Sequence, residues 1–68
     1  MVIGDIERNP TEVVRVSVSE YKGRKYVDLR IYFKNTEGEW APTKKGVTVQ
    51  PEKVEEMLAL LKQAQAAL

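Results

Sequence analysis

A chain of 68 residues without cysteine or histidine cannot be stapled by disulfides or built around a thiolate- or imidazole-bound metal. It is also without the imidazole on which most triad and general-base chemistry depends. Its apolar content of 43% is that of a globular chain rather than a disordered one. The net charge of only +1 conceals an asymmetry: from Val13 to Gly46 eight Lys/Arg face four acids, a local +4, and the flanks sum to −3.

The length sets one domain, which buries only roughly 60% of the surface its unfolded form exposes, so association with a second copy is expected. The start "MVIGDIERNP" lacks the basic-then-apolar pattern of a signal peptide, and no apolar run approaches membrane-spanning length. A soluble, intracellular chain is expected.

Residues 1–12 show weak periodicity and end in the turn-prone "NPTE". They read as an N-terminal arm or a short edge strand, with residues 13–68 as the domain proper. Val14, Val16 and Val18 then alternate with Arg15, Ser17 and Ser19, the period of a half-buried strand. After "YKGRK", with glycine at the reversal, Val27, Leu29, Ile31 and Phe33 take one parity and Tyr26, Asp28, Arg30 and Tyr32 the other. This is a second strand, rich in the β-branched and aromatic residues a pleated surface favours. A turn at Glu37-Gly38 leads to a short third strand, "EWAP"; "TKKG" reads as a loop and "VTV" as a fourth strand with Val47 and Val49 inward.

From Pro51, suited to a first helical position, "PEKVEEMLALLKQAQAAL" predicts a helix. Glu52, Glu55 and Glu56 favour its start, and Gln50 is a mediocre N-cap. Val54, Met57, Leu58, Leu61, Ala64 and Leu68 form an apolar stripe that Leu60 and Ala67 widen. One face can cover the sheet and the remainder suits a partner helix across a two-fold axis, with Met57, Leu58, Leu60, Leu61 and Ala64 as the dimer interface. The order is four strands and then one C-terminal helix, an α+β arrangement.

No motif of an enzyme is present: no phosphate-binding loop, no dinucleotide fingerprint. Asp28 and Glu20 read as strand-face charges neutralised by Arg30 or Lys22, and Ser17 and Ser19 have no activating base. No cofactor and no metal is expected, and the chain reads as a non-enzyme. The segment Glu20 to Lys34 is different, with three lysines, two arginines, four aromatics and a central glycine. Single-stranded nucleic acid asks for that combination, since cations meet its phosphates and rings stack on its bases. Lys22, Arg24 and Lys25 surround Gly23; Tyr21, Tyr26, Tyr32, Phe33 and Trp40 offer rings; Lys44 and Lys45 add a second cationic point. The plain alternative is a β-hairpin with a solvated charged face, in which Tyr26 and Tyr32 support the sheet across strands. Trp40 would then be a core or dimer anchor, and strict parity sends Phe33 into the core.

The ordered set is more specific than its parts. An aromatic-Lys-Gly-basic hairpin, a "VDLR" strand ending in aromatics, an acidic-Gly turn, a "P-x-basic-Lys-Gly" loop and a Pro-initiated helix follow one another from Val14 to Leu61. In this the chain resembles the positive cofactor four family of single-stranded-DNA-binding transcriptional coactivators. The resemblance implies a curved four-stranded antiparallel sheet followed by one C-terminal α-helix, assembled as a homodimer that binds single-stranded and melted DNA through the β-surfaces of both subunits. It makes residues 13–68 the nucleic-acid-binding and dimerisation domain. It implies Tyr21, Lys22, Gly23 and Arg24 of the hairpin, Arg30 and Phe33 of the next strand, and Lys44 and Lys45 as the DNA-binding residues. Phe33 stands where tryptophan is common and Ala41 where a basic residue often sits, each expected to weaken one contact. A compact bacterial or phage-type member is expected, cytoplasmic and nucleoid-associated; a eukaryotic one would be nuclear. DNA against RNA is left open, as are partner proteins of transcription or replication. The rival readings are a protein-interaction module with incidental nucleic-acid contacts, and duplex recognition by the helix, which its acidic start disfavours.

Overall fold

The computed structural model describes residues 1–68. Strands β1 (Val2–Asn9), β2 (Glu12–Tyr21), β3 (Arg24–Lys34) and β4 (Trp40–Val49) form one antiparallel sheet whose spatial order is the chain order. A 3-10 turn, Pro51–Lys53, leads into helix α1 (Val54–Ala66). This is the α+β arrangement that the hydrophobic patterning predicts. Gln50 makes no side-chain cap, and the chain enters the helix through the tighter 3-10 turn instead.

The strand boundaries depart from the pattern in two places. Residues 1–12 supply a long edge strand, paired with β2 from Val2↔Ser17 to Asn9↔Glu12. Its first residue is tied in as well: the Met1 ammonium donates to the Val18 carbonyl at 2.7 Å, and the Val18 N–H donates to the Met1 carbonyl at 2.8 Å. The sequence signal was weak because register shifts between Val2 and Gly4 and between Glu7 and Asn9 break the alternation, and every residue of β1 is exposed.

The second departure corrects the expected third and fourth strands: "EWAP" and "VTV" are the two ends of the single strand β4. "TKKG" is a bulge within it rather than a loop. Pro42 opposes Tyr32 and Gly46 opposes Arg30, so Thr43, Lys44 and Lys45 stand against Ile31 alone. The total of four strands holds because β1 provides the first.

β2 and β3 pair without interruption from Glu12↔Phe33 to Tyr21↔Arg24, so alternation defines two clean faces. Val14, Val16, Val18, Val27, Leu29 and Ile31 share the face toward α1. Arg15, Ser17, Tyr26, Asp28, Arg30 and Tyr32 share the face away from it. The helix covers its side loosely. Val54, Met57, Leu58 and Leu61 line an open, wholly apolar groove of about 330 Å³ with Val16, Val27, Leu29 and Val49.

No residue of α1 is buried, and the buried apolar residues are Val13 and Val49; Val47, expected inside, is 54% exposed. The accessible surface of 5570 Å² exceeds the roughly 4400 Å² that size scaling gives a compact chain of this mass. The radius of gyration, 13.5 Å, likewise exceeds the roughly 11 Å of a compact chain of this length.

Candidate nucleic-acid interface

The β2–β3 connection is a two-residue turn in which both central residues, Lys22 (φ 53°) and Gly23 (φ 77°), lie in the left-handed region. A primed turn of this kind matches the twist of the strands it joins. Glycine occupies it without cost; lysine does so under strain. Tyr21 and Arg24 close the turn as a cross-strand pair on the face away from the helix, with Tyr21 65% exposed. The Lys22 Nζ stands 5.4 Å from the centre of the Tyr21 ring.

Further along the same face, the Arg24 guanidinium lies 6.0 Å from the Tyr26 ring and that of Arg15 4.4 Å from the Tyr32 ring. At the far end Lys34 and Trp40 are cross-strand partners, with Nζ 5.8 Å from the indole. Four cation–aromatic pairs thus run along one sheet face, each within the range of attraction between a cation and a ring quadrupole. Within the chain Trp40 is half-buried on this face rather than part of the core.

Acids hold the arginines in place. Arg15 donates from Nε and Nη2 to the Asp5 carboxylate on β1, at 2.9 and 3.1 Å. These hydrogen bonds hold Asp5 below its ordinary 3.8 and raise Arg15 in return. Arg30 donates in the same two-pronged way to Asp28, at 3.2 and 3.1 Å, and is itself raised, chiefly by those bonds. Its third branch donates to the Thr43 carbonyl at 3.0 Å. Arg24 reaches Glu52, ahead of the helix, at 3.2 Å. Glu52 is held below its ordinary 4.5, first by its own backbone N–H and then, against some desolvation, by Arg24.

The β4 bulge presents the remaining cations. Thr43 Oγ1 donates to the Ile31 carbonyl at 2.7 Å and accepts the Lys45 N–H at 3.1 Å, which satisfies backbone groups the ladder leaves free. Lys44 and Lys45 are thereby exposed beside Arg30. Gly46 allows the return to the ladder: a Cβ there would stand 2.7 Å from the Leu29 carbonyl oxygen and 3.0 Å from the Arg30 Cα.

Of the residues singled out in the sequence, Tyr21, Lys22, Gly23, Arg24, Arg30, Lys44 and Lys45 fall on or beside the helix-free face. Phe33 does not. Its partners are Glu12 and Ala41, and the unbroken β2–β3 register leaves no bulge to turn it across. It lies on the helix side but past the groove, at the end of β3, and is 40% exposed rather than in the core. Arg15 and Lys34 were missed as site residues, because their significance depends on Tyr32 and Trp40 being across the sheet. The alternation of Arg15 with Val14 and Val16 was the available signal. Of the predicted dimer residues, Leu58, Leu60 and Leu61 are roughly half exposed, and Met57 and Ala64 lie on the same helix. No helix is long and apolar enough to cross a membrane.

Comparison with known proteins agrees with the fold. Residues 8–60 match the family described as Transcriptional Coactivator p15 (PC4). The PC4 homologue BPSL1147 of Burkholderia pseudomallei superposes with a TM-score of 0.92 at 31% identity in one crystal form, covering 96% of this chain and 88% of that one. A second crystal form gives 0.91 at 31% identity, covering 96% of each. The bacteriophage T5 homologue of PC4, implicated in recombination-dependent DNA replication, gives 0.80 at 26% identity, over 98% of this chain and 77% of that one. By sequence pattern, by fold and by the ordered hairpin, bulge and helix, this chain belongs to the PC4 family of transcriptional coactivators.

Proposed function

We propose that the chain binds single-stranded DNA as a homodimer, with little preference for base sequence and no catalytic step, at melted DNA in transcription, replication or repair. The observation that carries this reading is the row of four cation–aromatic pairs on the one sheet face that α1 leaves open. A single strand offers phosphates at intervals and bases with both π-faces free. Tyr21, Tyr26, Tyr32 and Trp40 supply platforms, each stacked base contributing about 1–3 kcal/mol. Lys22 supplies phosphate contacts from the hairpin end of β3, and Lys44 and Lys45 from the bulge opposite Ile31. Stacking on rings and ion pairing with phosphates read no base edge, so sequence tolerance follows. A duplex hides the faces these rings need.

The dimer is supported by what one copy leaves open. The groove between α1 and the sheet is wholly apolar, and Leu58, Leu60 and Leu61 are about half exposed beside it. A second copy seated there would complete a core that two buried valines do not make. It would also set two β-surfaces side by side, lengthening the path for one strand.

The test is fluorescence anisotropy of a labelled oligonucleotide, single-stranded and then duplex, over a salt series. Tight binding that favours the single strand, with a log–log salt slope of about −0.7 per phosphate neutralised, is expected. No binding at low salt by a folded dimer would leave the face a solvated surface and shift the search to protein partners.

A further inference from the structure

Every one of the four arginines in the chain is engaged by a carboxylate: Arg8 by Glu12, Arg15 by Asp5, Arg24 by Glu52 and Arg30 by Asp28. Of the seven lysines, Lys53 alone has such a partner, Glu56 at 3.7 Å. Lys22, Lys25, Lys34, Lys44 and Lys45 are all exposed. The division is by residue type, and it is assembled by the tertiary fold. Asp5 comes from β1, and Glu52 lies 28 residues beyond Arg24. The basic middle segment therefore holds two classes of cation, arginines already facing an anion and lysines facing water.

A carboxylate and a phosphate compete for the same donors of a guanidinium, since both match its fork. On the basis of the single-strand reading, we infer that Glu52 and Asp5 are affinity-setting residues. They are internal anions that occupy Arg24 and Arg15 in the unbound protein and compete there with the phosphates of the strand. Initial capture and most of the salt dependence then belong to the lysines. The paired arginines contribute their planar faces, held over Tyr32 and beside Tyr26, more than their charge. Asp28 is a different case: its carboxylate is largely buried, and Arg30 is also committed to the Thr43 carbonyl, so that pair stays closed. The chain consequently binds more weakly than its count of cations implies, as suits a protein that must leave melted DNA as well as find it.

The experiment compares two neutralised acids with two matched controls. Glu52→Gln and Asp5→Asn each free an arginine; Glu55→Gln and Glu7→Gln remove the same charge from the same regions with no arginine opposite. Affinity for a labelled oligothymidylate is measured at several salt concentrations, with circular dichroism to verify the fold. Glu52→Gln carries the decision, because both partners of its pair are about half exposed and the variant is expected to stay folded. It is expected to tighten binding about threefold beyond Glu55→Gln, the scale of one exposed ion pair. It should also steepen the salt slope by about 0.7. Adding Arg24→Ala should abolish that gain. Equal tightening by Glu52→Gln and Glu55→Gln, or a gain that survives Arg24→Ala, would overturn the inference while leaving single-strand binding intact. Absence of binding by the unmodified protein would instead remove the reading on which it rests.

Discussion

At Lys22 the demands of folding and of binding diverge. The two-residue turn requires a positive φ that lysine adopts at a cost of roughly 1–2 kcal/mol, whereas asparagine tolerates it. Lys22→Asn is therefore expected to raise stability by up to about 1 kcal/mol in urea titrations while weakening binding of a single strand. Gly46 presents the opposite constraint. Its φ is unremarkable, but the Leu29 carbonyl and Arg30 Cα leave no room for a methyl group. Gly46→Ala should destabilise by about 1–3 kcal/mol, with Gly4→Ala, which meets nothing within 4 Å, close to neutral by the same measurement. At Phe33, exposure makes truncation harmless to the fold. Phe33→Ala is expected to leave the circular dichroism spectrum unchanged and, because its ring lies on the helix side of the sheet, to leave strand affinity unchanged as well. A loss of affinity would extend the strand's path around the end of β3 to the helix side.

At the scale of elements, β4 shows how a loop signal can conceal a strand. Thr-Lys-Lys-Gly has the composition of a connection, and it reads as one because composition cannot register the hydrogen bonds of Thr43. Those bonds turn three unpaired residues into a stable bulge and aim two lysines outward. Thr43→Val removes the hydroxyl with little change of shape. It should cost about 1–3 kcal/mol of stability, since the Ile31 carbonyl and Lys45 N–H lose their partner, and it should lower strand affinity by releasing Lys44 and Lys45. Chemical-shift changes confined to β3 and β4 would check the locality of the effect. β1 illustrates the reverse. Its apolar residues do not alternate through two register shifts, so the period of the strand is lost even though its pairing is nearly complete.

For the whole molecule, a slab of 38 × 38 × 18 Å carries an open apolar groove on one side, which the proposed homodimer would cover. The thermal midpoint should rise with protein concentration, as mass action requires of a folded dimer, and Leu61→Glu should abolish that rise and lower the midpoint. Acid acts through Asp5 and Glu52, whose pKa values are lowered by folding. Such groups stabilise the folded state above their unfolded values and lose that contribution as pH falls through the folded ones. Stability should thus be flat from neutrality to about pH 5 and decline as pH drops below the ordinary 4.5 and 3.8, with Asp5→Asn flattening part of the decline.

Alternation in residues 13–34, the glycine at the hairpin and the apolar stripe after Pro51 were enough to establish a sheet followed by a helix, because each is a local period imposed by backbone geometry. The candidate cations and rings were legible for the same reason: they are residue types at readable positions. Two things lay beyond any local period. One is pairing across the sheet, which puts Arg15 on Tyr32 and Lys34 on Trp40. The other is the reach of acids from distant elements, Asp5 to Arg15 and Glu52 to Arg24. The sequence determined which charges and rings the protein has. Only the tertiary structure, through contacts between residues far apart in the chain, decided which of those charges face water and which already face an anion.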